Sequence, residues 1–279
     1  MHDLDSSSPA ISVEELRASL EGGSAPLVID VRREAAFRDS SRMIRGALRR
    51  DPSQVTRWTG SLPRSGAVVV YCVHGHEVSQ ETARALNALG VSARFLAGGL
   101  EAWIGAGGDT DTKPAGASTR WVTRERPKID RIACPWLVLR FVDPQAEILY
   151  VPTDRVRDTA VEKDAIPYDI PDVHFSHEGE RCSFDAFLRH YRLRDPALEE
   201  LANIVRGADT ARLDLAPQAA GLAAISLGLS RNFPRDQEML EHGLVIYDAL
   251  HTWCKEGKDE SHTWRPLTAF PLPELNRVP

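Results

Sequence analysis

At 279 residues the chain exceeds the usual size of one compact domain, and with 42% apolar and 27% charged residues it has enough of both to fill cores and stay solvated. A net charge of −6 argues against a nucleic-acid partner, since such binders rely on an excess of Lys and Arg facing phosphates. No apolar run approaches the ~20 residues that cross a bilayer, and the opening MHDLDSSSPAISVEE has no basic and apolar leader, so a cytoplasmic protein without a membrane partner is expected.

Along the chain, a helix is predicted to start near Ser12, where Ser12 and Glu15 have the spacing of a capping box. PLVIDV, AVVVYC and ARFLAG read as strands; between the last two, SQETARALNALG places Ala83, Leu86 and Leu89 on one helical face and stops at Gly90. Strands alternating with helices predict an α/β unit whose parallel sheet is covered by helices, over residues 1–105. Residues 106–119, nearly devoid of large apolar side chains and rich in Gly, Thr, Asp and Ala, read as a flexible linker.

Residues 120–279 predict a second, α-rich domain with a small β element. Arg120 to Arg131 reads as a basic lead-in to a helix, in which Ile129, Ile132, Ala133 and Trp136 share a face and Pro135 kinks or ends the run. Further helices are expected over SFDAFLRHY, over DPALEELANIV with Asp195 as cap and Pro196 at the first position, around Leu222–Leu227 and over Met239–Cys254. EILYVP and IPDVHF are the candidate strands. The four cysteines, Cys72, Cys134, Cys182 and Cys254, form no CxxC pair and are expected as free thiols.

YCVHGHEVSQ carries the densest chemistry. A cysteine at the carboxyl end of a buried parallel strand, followed by a loop and a helix, sits where loop amides and the helix dipole favour a thiolate. A small buried residue closing the strand is the equally open reading of Cys72. Gly75 would let the loop Val73, His74, Gly75, His76, Glu77 and Val78 curl so that its amides converge. Protonated His74 or His76 would favour the thiolate, whereas Glu77 opposes an anion unless it turns outward.

VIDVRREAAF, MIRGA, VVVYCVHGHEVS and FLAGGLEAW together resemble the rhodanese family over roughly residues 12–105. The resemblance implies a sulfurtransferase in which Cys72 takes sulfane sulfur from a small-molecule donor, holds it as a persulfide and passes it to a thiol acceptor, with no cofactor required. Asp30 and Arg32 resemble the acidic and basic pair at the end of the family's first strand and would support the site. Met43–Ala47 replaces a His-Ile-Pro-Gly-Ala stretch, and the Cys72 loop is about one residue longer than in common sulfurtransferases. That width resembles the phosphatases and arsenate reductases of this fold, but their anion-binding arginine is replaced by Glu77 and Val78, which ranks phosphatase activity below sulfur transfer.

Beyond the linker, RWVTRERPKIDRIACPWLVLRFVDP, YDIPDVHFSHEGERCSFDAFL, LANIVRGADT and LVIYDALHTWC resemble the C-terminal domain of ChrB-type chromate resistance proteins. The resemblance implies a role in chromate resistance without a defined reaction. Arg124, Lys128 and Arg131 are the candidate oxyanion ligands, with chromate as a possible partner; a solvated charged face is the alternative. An oxyanion sensor with a non-catalytic rhodanese module and a thiol-dependent chromate reductase are the other readings of the whole chain, the latter drawing attention to Cys134 and Cys182. His177, Cys182 and Asp209 are the candidate metal ligands, and spacing alone leaves a metal in this half open. Asp248, His251 and Cys254 share a broad helical face and fit ordinary packing.

Overall fold

The computed structural model describes residues 10–21, 25–60, 62, 66–113 and 119–258. In the first region the elements run β1 (Ala10–Ile11), α1 (Val13–Glu21), β2 (Leu27–Asp30), α2 (Glu34–Arg38), β3 (Arg42–Ile44), β4 (Leu48–Arg49), α3 (Val55–Thr59), β5 (Val68–Tyr71), α4 (Glu77–Ala88), β6 (Ala93–Leu96), α5 (Gly99–Gly105) and β7 (Thr110–Thr112). The capping box at α1 is formed: the Ser12 amide donates to Glu15 Oε2 at 2.9 Å and the Glu15 amide to Ser12 Oγ at 3.1 Å. A five-stranded sheet has the order β1-β6-β5-β2-β4, each neighbouring pair parallel. Every side chain of β2 and β5 is buried because helices cover both faces. Along β5 the alternation is strict, with Val68 and Val70 in one apolar cluster and Val69 and Tyr71 in the other.

Part of the segment expected as a flexible linker is ordered. Thr110–Thr112 pairs antiparallel with β3, and Lys113 is buried with its ammonium 4.5 Å from the centre of the Phe37 ring. The strand has no large apolar residue, so composition hides it; backbone pairing and Asp111, which accepts from the Gly46 amide at 2.7 Å, hold it instead. The rest of that segment, residues 114–118, lies outside the described residues.

The second region contains β8 (Arg120–Arg124), α6 (Asp130–Leu137), β9 (Glu147–Val151), α7 (Val156–Glu162), β10 (Ile166–Pro167), α8 (Ser183–His190), α9 (Pro196–Asp209), α10 (Ala219–Asn232) and α11 (Asp236–Thr252). Two expectations need correction here. RWVTR is the central strand of a parallel sheet ordered β10-β8-β9, its Trp121, Val122 and Thr123 buried between marginal arginines, rather than a lead-in to a helix. IPDVHF is not a strand: Asp169 and Asp172 take positive φ and turn the chain, leaving an isolated bridge between Tyr168 and Phe175.

Pro135 lies inside α6, which continues into a π-helical turn at Val138–Val142. A proline there denies the carbonyl four residues earlier its helical donor. That carbonyl, of Arg131, accepts instead from the hydroxyl of Tyr150 at 2.9 Å and faces that of Tyr168 at 3.4 Å. The apolar cluster under β2 and β5 is continuous with the one that holds Trp121, Trp136, Phe184 and Phe187, so a single core runs through both regions.

Candidate functional site

Cys72 follows β5 directly and is 7% exposed. Its Sγ lies 3.2 Å from Ser79 Oγ, and that hydroxyl donates to the His76 carbonyl at 3.1 Å. The loop's outward carbonyls are already bound: Leu100 N donates to Cys72 O at 2.9 Å and Glu101 N to Val73 O at 3.1 Å. Among the described residues, the amides of Val73 through Ser79 donate to no main-chain or side-chain acceptor, which leaves them free for an anion at the start of α4.

The close approach behind this arrangement depends on two glycines. Gly75 (φ 71°) and Gly99 (φ 58°) face each other so tightly that a Cβ on Gly75 would lie 2.4 Å from Leu96 O, and one on Gly99 2.5 Å from both Cys72 O and Val73 O. FLAGGLEAW therefore serves the cysteine loop structurally, by letting the first turn of α5 clamp its carbonyls.

The remaining loop residues point several ways. Glu77 is 70% exposed and turned outward, 3.6 Å from Arg33. His74 Nδ1 faces Glu101 at 3.1 Å on the surface, and exposed His76 is the N-cap residue of α4. Val78 is half-buried against the core. Asp30 and Arg32 are buried away from solvent: the carboxylate accepts from Arg32 Nε and Nη2, at 2.9 and 2.6 Å, and from Tyr71 OH at 2.9 Å, while Arg32 Nη2 also donates to Arg42 O at 3.1 Å. The pair thus ties the ends of β2 and β5 to β3.

In the second region the structure brings together His177 and Asp209, with Asp130 and Asp169. His177 Nε2 lies 3.2 Å from Asp130 Oδ2, 3.2 Å from Asp209 Oδ2 and 3.5 Å from Asp169 Oδ1. Burial pushes the Asp130 carboxyl up to about 7, reinforced by the neighbouring carboxylates and opposed by His177. Hydrogen bonds to Asp130, Asp169 and Asp209 hold the His177 imidazolium well above its usual range.

Cys182 does not join this group. It is fully buried as the N-cap residue of α8, its amide donating to Asp185 Oδ2 at 3.0 Å, and burial pushes its thiol up. Cys134 is likewise fully buried with its thiol raised by burial. The arginines expected to bind an oxyanion are committed elsewhere: Arg124 Nη2 and Arg131 Nε lie 2.7 and 3.2 Å from Asp169 Oδ2. Lys128 is half-buried, and among the described residues its one link to them is through the main chain, the Arg131 amide donating to the Lys128 carbonyl at 2.9 Å. Asp248 bonds Arg140 and Trp136, and His251 packs on Trp136 and Phe141, in keeping with ordinary packing.

Asp130 and Asp169 escaped the sequence reading. Their one signal is an acidic residue beside apolar ones, Asp130 after Ile129 and Asp169 between Tyr168 and Ile170. A cavity of about 240 Å³ lies between the two regions, bordered by Arg49, Asp111, Lys113, His174 and His190. Cys72 is not among its lining residues.

Comparison with known proteins gives two family matches. Residues 12–106 match the model of the rhodanese-like domain and residues 121–254 that of the ChrB C-terminal domain. Protein ChrB of Cupriavidus metallidurans is 32% identical over 134 residues, which are 48% of this chain and 40% of that protein, so the chain spans well under two thirds of its relative. A rhodanese-related protein from Thermoplasma volcanium is 23% identical, covering 37% of this chain and 97% of that one with a TM-score of 0.33. Thiosulfate sulfurtransferase from Pseudomonas aeruginosa is 24% identical, covering 38% of this chain and 19% of that one with a TM-score of 0.34. The chain thus joins a rhodanese-like domain to a ChrB C-terminal domain.

Proposed function

We propose that the chain is a sulfurtransferase that carries sulfane sulfur as a persulfide on Cys72, joined to a region that serves chromate resistance. The observation that carries this reading is the thiol at the end of β5 beside a loop whose amides have no acceptor among the described residues. The Cys72 thiolate attacks the outer sulfur of a donor such as thiosulfate. A bond forms from Sγ to that sulfur, the donor's S–S bond breaks, and sulfite leaves with the bonding pair. The terminal sulfur then carries the negative charge, which the loop amides stabilise. The Ser79 hydroxyl, 3.2 Å from Sγ, can turn from the His76 carbonyl to donate to the thiolate. An acceptor thiolate takes the outer sulfur and returns Cys72 to its starting state.

Treatment of the full chain with thiosulfate should add the mass of one sulfur to the intact protein, and Cys72→Ser should abolish the increment while Cys182→Ser keeps it. An unmodified wild-type mass beside an active control enzyme rejects the proposal.

A second reading, oxyanion binding by a module that transfers no sulfur, is favoured by one observation, the cavity bordered by Arg49 and buried Lys113. Chromate binding by calorimetry that persists in Cys72→Ser and disappears in Arg49→Met would select it. Thiol-dependent reduction of chromate has less support, because Cys134 and Cys182 are fully buried.

A further inference from the structure

We propose that Asp130, His177 and Asp209 form a binding site for a divalent first-row metal ion of the Mn²⁺ and Fe²⁺ type, a site separate from Cys72 and independent of sulfur transfer. The first argument is hydrogen-bond arithmetic. An imidazole nitrogen carries at most one proton and points it in one direction, yet Nε2 of His177 has carboxylate oxygens of Asp130 and Asp209 equally close, at 3.2 Å, with Asp169 at 3.5 Å. One N–H cannot serve all of them, whereas one cation can.

The second argument is geometric. Ligand atoms about 2.0–2.2 Å from a metal ion stand roughly 3 Å apart along the edges of its coordination polyhedron. The two distances of 3.2 Å from Nε2 are of that length, and the three ligand atoms all lie within 4.8 Å of one another. An ion therefore fits without rearrangement of the backbone.

Charge and support point the same way. Arg124 and Arg131 pair with Asp169 and with neither Asp130 nor Asp209, so those two carboxylates face the site without an arginine partner among the described residues. Ser183 braces the set from behind, its amide donating to Asp130 Oδ2 at 3.3 Å and its hydroxyl to Asp169 Oδ1 at 3.0 Å, as an outer layer does for metal-bound carboxylates. The ligands come from the first turn of α6, the end of α9 and the loop before α8, so tertiary packing alone creates the site. Asp130 is 3% exposed, while Asp209 at 15% and His177 at 41% leave a side open to solvent for entry and for water ligands. One imidazole with carboxylates and no thiolate favours Mn²⁺, Fe²⁺ or Zn²⁺ over soft ions such as Cu⁺.

The test uses the full chain stripped with chelator and titrated with MnCl₂, free Mn²⁺ being followed by electron paramagnetic resonance. One Mn²⁺ per chain is expected, with affinity at least tenfold weaker in His177→Gln and in Asp209→Asn and unchanged in Asp248→Asn. Failure of the wild type to take up Mn²⁺, Fe²⁺ or Zn²⁺ at one per chain overturns the proposal, as does unchanged affinity in either ligand variant. Should a variant misfold, the wild type decides: substoichiometric Mn²⁺ must broaden the imidazole resonances of His177 before those of His74 and His251, and uniform broadening rejects the site.

Discussion

Gly99 has one job that no other residue can do. It occupies φ 58° and brings the start of α5 against the carbonyls of Cys72 and Val73, where a Cβ would sit 2.5 Å from each oxygen. Gly99→Ala therefore combines an unfavourable backbone region with a clash against rigid main chain. The expected cost is about 2–4 kcal/mol, seen as a melting temperature lower by several degrees and as slower labelling of Cys72 by thiosulfate. A variant that melts and reacts like wild type would show that the clamp is dispensable. The Asp30–Arg32 pair makes a parallel case: Asp30→Asn leaves a buried guanidinium without its counter-charge, expected to cost about 3–5 kcal/mol in denaturant unfolding. At this scale the sequence made Cys72 visible, since strand, cysteine, glycine loop and helix are contiguous. Arg124 and Arg131 were misread because their partner, Asp169, is distant in sequence and joined to them only by the turn after β10. His177 and Asp209 were legible as residue types, but their convergence with Asp130 belongs to the packing of α6 on α9.

Helix α6 shows how an element survives a residue that should end it. The carbonyl of Arg131, deprived of a donor by Pro135, is served by Tyr150. Tyr150→Phe should cost about 1 kcal/mol in denaturant unfolding, the ordinary value of one such hydrogen bond, and no change in stability would assign the whole task to Tyr168 or water. At the far end of α11, His251 lies between Trp136 and Phe141, with ring centres 5.4 and 5.5 Å away. Burial lowers its pKa, Lys255 acts in the same direction, and Asp195 and Asp248 oppose them. The unfolded chain therefore takes up this proton first. The stability from His251 is complete above its ordinary value of 6.5 and is lost as pH falls from there through the folded-state value. His251→Phe should flatten the decline in unfolding free energy between about pH 7 and 5, and an equal decline in both proteins would remove His251 from the acid response. The strands β2, β5 and β6 and the helices α4, α8 and α9 were legible because apolar spacing and caps mark them locally. Strand β8 was hidden by the arginines at its margins, and IPDVHF imitated a strand until two aspartates in left-handed conformation turned it.

Composition changes between the two regions, but their union leaves no mark there, because no local pattern announces a partner. Arg50, just after β4, is buried and donates to the carbonyls of Phe141 and Val142 at the end of the π-helical turn, closing a helix terminus of the other region with a positive charge. Burial lowers this guanidinium to about 10 against the pull of Asp143, so it stays protonated at neutral pH. Nearby, Arg192 donates to Arg45 O at 2.7 Å, and His190 Nε2 meets Asp111 Oδ2 at 2.8 Å, which fastens α8 to β7. With the apolar core continuous beneath these contacts, the wild type should unfold in one calorimetric transition. Arg50→Met keeps the aliphatic bulk but strips two buried carbonyls of their donor, at an expected cost of about 2–4 kcal/mol concentrated at the junction. The endotherm should move down and split, the rhodanese-like and ChrB-like regions melting apart. A single transition at the wild-type temperature would mean that the shared core, without the arginine clasp, suffices to make the two regions one cooperative body.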